Sequence, residues 1–145
     1  MKTTTCFFTG HRKLPQHKIS RITKRLNREI ENLISQDVTT FLSGGAPGFD
    51  MIAASLVAAK KELGADIRLV FALPEKNADS LWSEKQRLLY RQLLAEADEI
   101  LYVPEGYMAE NSAYCICALI REDSRTAQAV GRAREQGLPV INTVE

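Results

Sequence analysis

Apolar residues along the chain fall into two alternating patterns: short continuous runs, and runs that recur every three or four residues. "TCFFT" (5–9) is a short run and reads as a strand. Ile19, Ile22, Leu26, Ile30 and Leu33 then follow at helical spacing, with Lys18, Arg21, Arg25 and Arg28 mostly off that face. "VTTFLS" (38–43) is a second strand, and the Ala- and Leu-rich "MIAASLVAAKKEL" (51–63) a second helix closed by Gly64. "IRLVFAL" (67–73) is a third strand ended by Pro74. Trp82, Leu89 and Leu93 mark one face of a helix over 80–96, capped by Asp79 or Ser80. "EILYV" (99–103) is a fourth strand. "AYCICALI" (113–120) is apolar at every position, as a strand covered on both faces should be. A last helix over 124–137 ends at Gly137, and "PVINTV" (139–144) is a final strand.

Strand and helix in strict alternation predict an α/β fold, a Rossmann-like three-layer sandwich around a mainly parallel sheet of five or six strands. With 145 residues and no linker, repeat or low-complexity stretch, the chain reads as a single domain over 1–145. Hydrophobic residues make up 45% and charged residues 26%, which excludes a disordered chain. The net charge of +1 favours no partner class, although residues 1–36 carry eight Lys and Arg against Glu29 and Glu31. That excess would attract a phosphorylated ligand, or is a solvated helix face. Three cysteines, no secretory signal and no stretch of about 20 apolar residues predict a cytoplasmic protein with reduced thiols and no membrane span.

Two turns carry the candidate chemistry. The first strand runs into Thr9, Gly10, His11 and Arg12; the second into Ser43, Gly44, Gly45, Gly48 and Asp50. In a parallel sheet both lie beyond the carboxyl ends of strands, where ligands bind. Glycines let backbone N–H groups approach an anion, the helix behind adds unpaired N–H groups, and Arg12 offers a planar bidentate partner. Neither the P-loop nor the G-x-G-x-x-G pattern is present, and G-x-S-x-G is missing. Asp50 reads either as a helix cap or as a ligand-contacting or catalytic carboxylate. Glu75, after Pro74, reads as a loop charge or a second catalytic candidate. Trp82 belongs to the core or stacks on a base. His17 reads as surface. Cys115 and Cys117 share one strand face, but no companion ligands accompany them, so two core thiols and no metal are predicted. No cofactor is implied.

Together, "FTGHR", "SGGAPGFDMIAA" and "ADSLWSEKQRLLYRQLLAEADEILYV" resemble the YpsA-like family of the SLOG superfamily, whose Rossmann-like domains also occur in DprA and in the LOG phosphoribohydrolases. The resemblance is clearest over 6–103. It implies a nucleotide or nucleotide-derived ligand at this rim, and self-association as a homodimer or higher homo-oligomer. Relatives carry an Asn-Ser motif after a longer segment, matched here by Asn111 and Ser112, and a Gly-Gly-Thr at the last helix, where this chain reads Ser124, Arg125 and Thr126. Arginine there either supplies a guanidinium in place of a backbone contact or closes that side of the pocket. Three functions follow from the resemblance: a ligand-binding module; a LOG-like hydrolase of an N-glycosidic or phosphoribosyl bond, using Asp50, Glu75 and Arg12; and a DprA-like binder of single-stranded nucleic acid. The LOG signature P-G-G-x-G-T-x-x-E is absent and aromatics are only 7%, which ranks binding first.

Overall fold

The computed structural model describes residues 2–145. Six strands form one all-parallel sheet: β1 (Thr5–Gly10), β2 (Thr40–Ser43), β3 (Arg68–Leu73), β4 (Glu99–Tyr102), β5 (Tyr114–Ala118) and β6 (Val140–Asn142). Their order is β4-β3-β2-β1-β5-β6. The helices are α1 (Ile19–Ser35), α2 (Phe49–Glu62), α3 (Glu84–Glu96), the single turn α4 (Tyr107–Glu110) and α5 (Arg125–Glu135).

Strand alternation divides the apolar residues between two layers. Phe8, Phe41, Leu69, Phe71 and Ile116 face α1, α2 and α3, where they meet Ile22, Leu26, Ile30, Leu33 and Val57. Phe7, Leu42, Val70, Cys115 and Cys117 face α4 and α5, against Ala109, Val130 and Ala133. The interior strand β5 is buried on both faces, since Cys115 through Ala118 are inaccessible. At the β4 edge Ile100 and Tyr102 are exposed. The three thiols are buried and free, and among the described residues no cluster of three or more His, Cys, Asp or Glu is placed to hold a metal. Among these residues, too, no helix is long and apolar enough to cross a membrane.

Several boundaries differ from the sequence expectation. Residues 80–83 are turn, and α3 starts later because Ser83, not Asp79 or Ser80, caps it. Its hydroxyl accepts from Gln86 N at 3.1 Å while the Gln86 side chain accepts from Ser83 N at 3.2 Å, a reciprocal box. Asp79 is instead buried and pairs with Arg91 at 3.3 Å. The second and last strands are shorter than expected, and α4 was not foreseen.

Candidate functional site

The sheet order reverses at β1. From β1 the chain passes through α1 to β2 on one side; from β5 it passes through α5 to β6 on the other. The loops after β1 and β5 therefore diverge, and such a divergence leaves a crevice at the carboxyl ends of the two strands. A cleft of about 1390 Å³ lies there. It is bounded by the β1 turn, the Gly44–Ala46 turn, Trp82 and Tyr90, the 103–109 segment, and the start of α5.

The two glycine turns are joined backbone to backbone. Phe49 N donates to His11 O at 3.2 Å, and Gly48 lies so close that a Cβ there would run into the Arg12 carbonyl and come within 2.6 Å of His11 O. Gly48 also has φ +87°, a conformation side chains disfavour. The turn faces inward more than a phosphate cradle would. Gly45 N donates to Ser43 Oγ at 3.2 Å, Ala46 N to the Asp50 carboxyl, and Pro47 has no N–H. Ser43 is fully buried beneath, donating to Asp50 O at 3.3 Å. The internal carboxyl group of Asp50 thus takes up one of the amides of the turn.

Asp50 is in the first turn of α2; Gly48 is the N-cap, so the capping role expected for the Asp50 side chain falls away. The residue is only 7% exposed, and its Oδ1 has no hydrogen-bond partner among the described residues. Burial raises its pKa to about 7, against the opposing pull of the Ala46 amide and the Arg12 charge.

His11 is nearly inaccessible, and its Nε2 accepts from Ile120 N at 3.0 Å and Arg121 N at 3.2 Å. An imidazole that accepts at Nε2 carries its proton on Nδ1. Burial, then the Arg121 charge, lowers its pKa, which keeps the ring neutral. His11 thereby ties the loop after β5 to the turn after β1.

At the start of α5, Ser124 Oγ caps Ala127 N at 3.1 Å and donates to Arg121 O at 2.6 Å. No acidic residue stands in this first turn. Thr126, 5% exposed, and Thr9, 9% exposed, line the cleft, and among the described residues neither hydroxyl has a hydrogen-bond partner. Lys13, Arg121 and Arg125 also line it and form no ion pair among the described residues, whereas Arg132 pairs with Glu105 at 3.3 Å. Across the cleft the Arg12 guanidinium lies 5.9 Å from the Trp82 ring centroid. Trp82 rests edge-on against Tyr90, with centroids 4.9 Å apart and planes at 67°.

Of the residues singled out from sequence, Thr9, Gly10, His11, Arg12, Gly44, Gly45, Asp50, Trp82, Arg125 and Thr126 line one cleft. Ser43 and Gly48 support it from below. Glu75 is exposed on the β3–α3 loop and is not part of the lining. Asn111 and the buried Ser112 precede β5, at the opposite end of the sheet, so the fold does not bring them to the rim. Lys13, Tyr90 and Arg121 were not foreseen. Arg121 carried one usable signal, its place just after the strand buried on both faces.

A model of the YspA SLOG family matches residues 6–114. The uncharacterized SPbeta prophage-derived protein YoqJ of Bacillus subtilis (strain 168) is 35% identical over 86 residues, 59% of this chain and 50% of its own. The UPF0398 protein BH1768 of Halalkalibacterium halodurans is 32% identical over 80 residues, 55% of this chain and 42% of its own. The chain thus spans about half the length of these curated relatives.

Proposed function

The chain belongs to the YspA SLOG family, and on that premise we propose that it binds a nucleotide or nucleotide-derived ligand in the cleft between the β1 and β5 loops. One observation carries this reading: Lys13, Arg121 and Arg125, which form no ion pair among the described residues, and the Thr9 and Thr126 hydroxyls line the same cleft as the start of α5 and the indole of Trp82. Helix N–H groups, guanidinium groups and hydroxyls all donate to phosphate oxygens. An indole presents a face on which a base stacks. Arg125, in the position where relatives carry glycine, is then a phosphate ligand rather than an obstruction. Partners follow from this: a small nucleotide-derived molecule, bound by an assembly of two or more copies of the chain.

A hydrolase is the second reading, favoured by Asp50. A carboxyl with a pKa near 7 suits general acid–base work. It ranks lower because Asp50 Oδ1 is enclosed and Glu75 lies off the cleft, which leaves no second carboxylate from the expected pair. A single-strand binder ranks third; Trp82 and Tyr107 are the partly exposed aromatic side chains of the cleft, and a strand needs a longer series of stacking sites.

The test is titration calorimetry with adenosine 5′-monophosphate and adenosine. Arg125→Ala removes one charge-assisted contact, so the nucleotide should bind about ten- to hundredfold more weakly, or roughly 1.5–3 kcal/mol. Adenosine binding should hardly change. Equal losses for both would show that α5 does not read phosphate.

A further inference from the structure

We propose that Arg12 and Trp82 form a clamp that takes the flat heteroaromatic ring of the ligand between them, purine in preference to pyrimidine. The inference rests on the nucleotide reading above and specifies how the base is held.

The two sides of the clamp differ in mobility. Trp82 is a fixed wall: its ring abuts Tyr90, which is itself buried and edge-on to Phe71 at 6.4 Å between centroids. Arg12 is a movable lid. It is exposed, forms no ion pair among the described residues, and projects from the turn that follows β1.

The spacing between them is informative. Stacked layers sit about 3.5 Å apart, so an inserted ring would hold the guanidinium about 7 Å from the indole. The observed 5.9 Å from the guanidinium carbon to the indole centroid puts the empty pair in cation–π contact, closer than in a filled sandwich. A small swing of a long, solvated side chain makes up the difference. The inserted ring then meets an electron-rich face on one side and a planar cation on the other, and both contacts are favourable. A purine covers more of the bicyclic indole than a pyrimidine does, and stacking grows with the area covered. From this position the ligand's phosphate extends toward Arg121 and Arg125 across the cleft.

Trp82 is the sole tryptophan, so its emission reports the clamp without any substitution. The unmodified protein is titrated with adenosine 5′-monophosphate, uridine 5′-monophosphate and ribose 5-phosphate, following heat and emission together. The adenine nucleotide should change Trp82 emission saturably, with the dissociation constant found by calorimetry. Ribose 5-phosphate should bind more weakly and leave emission unchanged. Trp82→Ala should lower affinity for the adenine nucleotide about tenfold or more, Trp82→Phe far less, and neither should alter ribose 5-phosphate binding. Heat of nucleotide binding without any change in emission would overturn the clamp and leave the nucleotide reading standing. Equal affinity for the two nucleotides would overturn the purine preference. No binding by any of the three at millimolar concentration would overturn both readings.

Discussion

Asp50 shows how far one position was legible. A carboxylate opening a helix was evident from "GFDMIAA", but its burial was not, because burial is set by the turn folded over it: a Cβ at Gly44 would lie 3.1 Å from Asp50 Oδ2. Its folded pKa of about 7 lies above the unfolded value of 3.8, so the folded state holds this proton more tightly. The resulting stability is complete below about pH 4 and is lost as pH rises through about 7. Asp50→Asn cannot ionise, so wild type should lose on the order of a few kcal/mol relative to this variant between pH 4 and pH 8. Urea unfolding of both proteins at the two pH values measures it; parallel pH curves would show that the carboxyl is not held neutral. The comparison between variants cancels His11, whose shift runs the other way. Its depressed pKa adds stability above about 6.5 that is lost as pH falls. Sequence placed His11 at the rim. Its bonds to Ile120 and Arg121 were beyond reach because they join residues more than a hundred positions apart.

Elements were legible where periodicity is long. The α1 face of Ile22, Leu26, Ile30 and Leu33 is buried as the spacing requires. The start of α3 was misplaced because Trp82 mimics a helical apolar position while sitting in the preceding turn, and four-residue α4 is too short to show a period. Glycines sort by environment in a way the letters cannot show. Gly48→Ala should cost about 3 kcal/mol or more, from the positive φ and the collision with Arg12 O. Gly131→Ala, inside α5 with nothing within 4 Å of the added Cβ, should stabilise by up to about 1 kcal/mol. Denaturant midpoints of the two variants check the contrast; equal effects would mean that the two turns are not in contact.

At the scale of the molecule, the parallel sheet and the shared rim were legible because alternating strands and helices admit few arrangements. The strand order was not, since pairing β1 with β5 rather than leaving it at an edge depends on contacts distant in sequence. With β2 and β1 central and β5 interior, both apolar layers share the same strands, and neither can melt alone. Thermal unfolding followed by Trp82 emission and by far-ultraviolet circular dichroism should give one coincident transition. Separate midpoints would reveal two independently stable parts.

The contact between the two turns runs through Gly48 and main-chain atoms of His11 and Arg12, and through the buried Phe49 ring packed against Gly10, with no side chain that projects into the cleft between them. Apart from His11, which ties in the loop after β5, this contact is therefore indifferent to which side chains project into the cleft. Arg12, Trp82 and Arg125 can be exchanged while the scaffold that presents them stays put, so selection can retune ligand choice within one architecture. For protein engineering, the same separation makes those three positions a natural set for a combinatorial library.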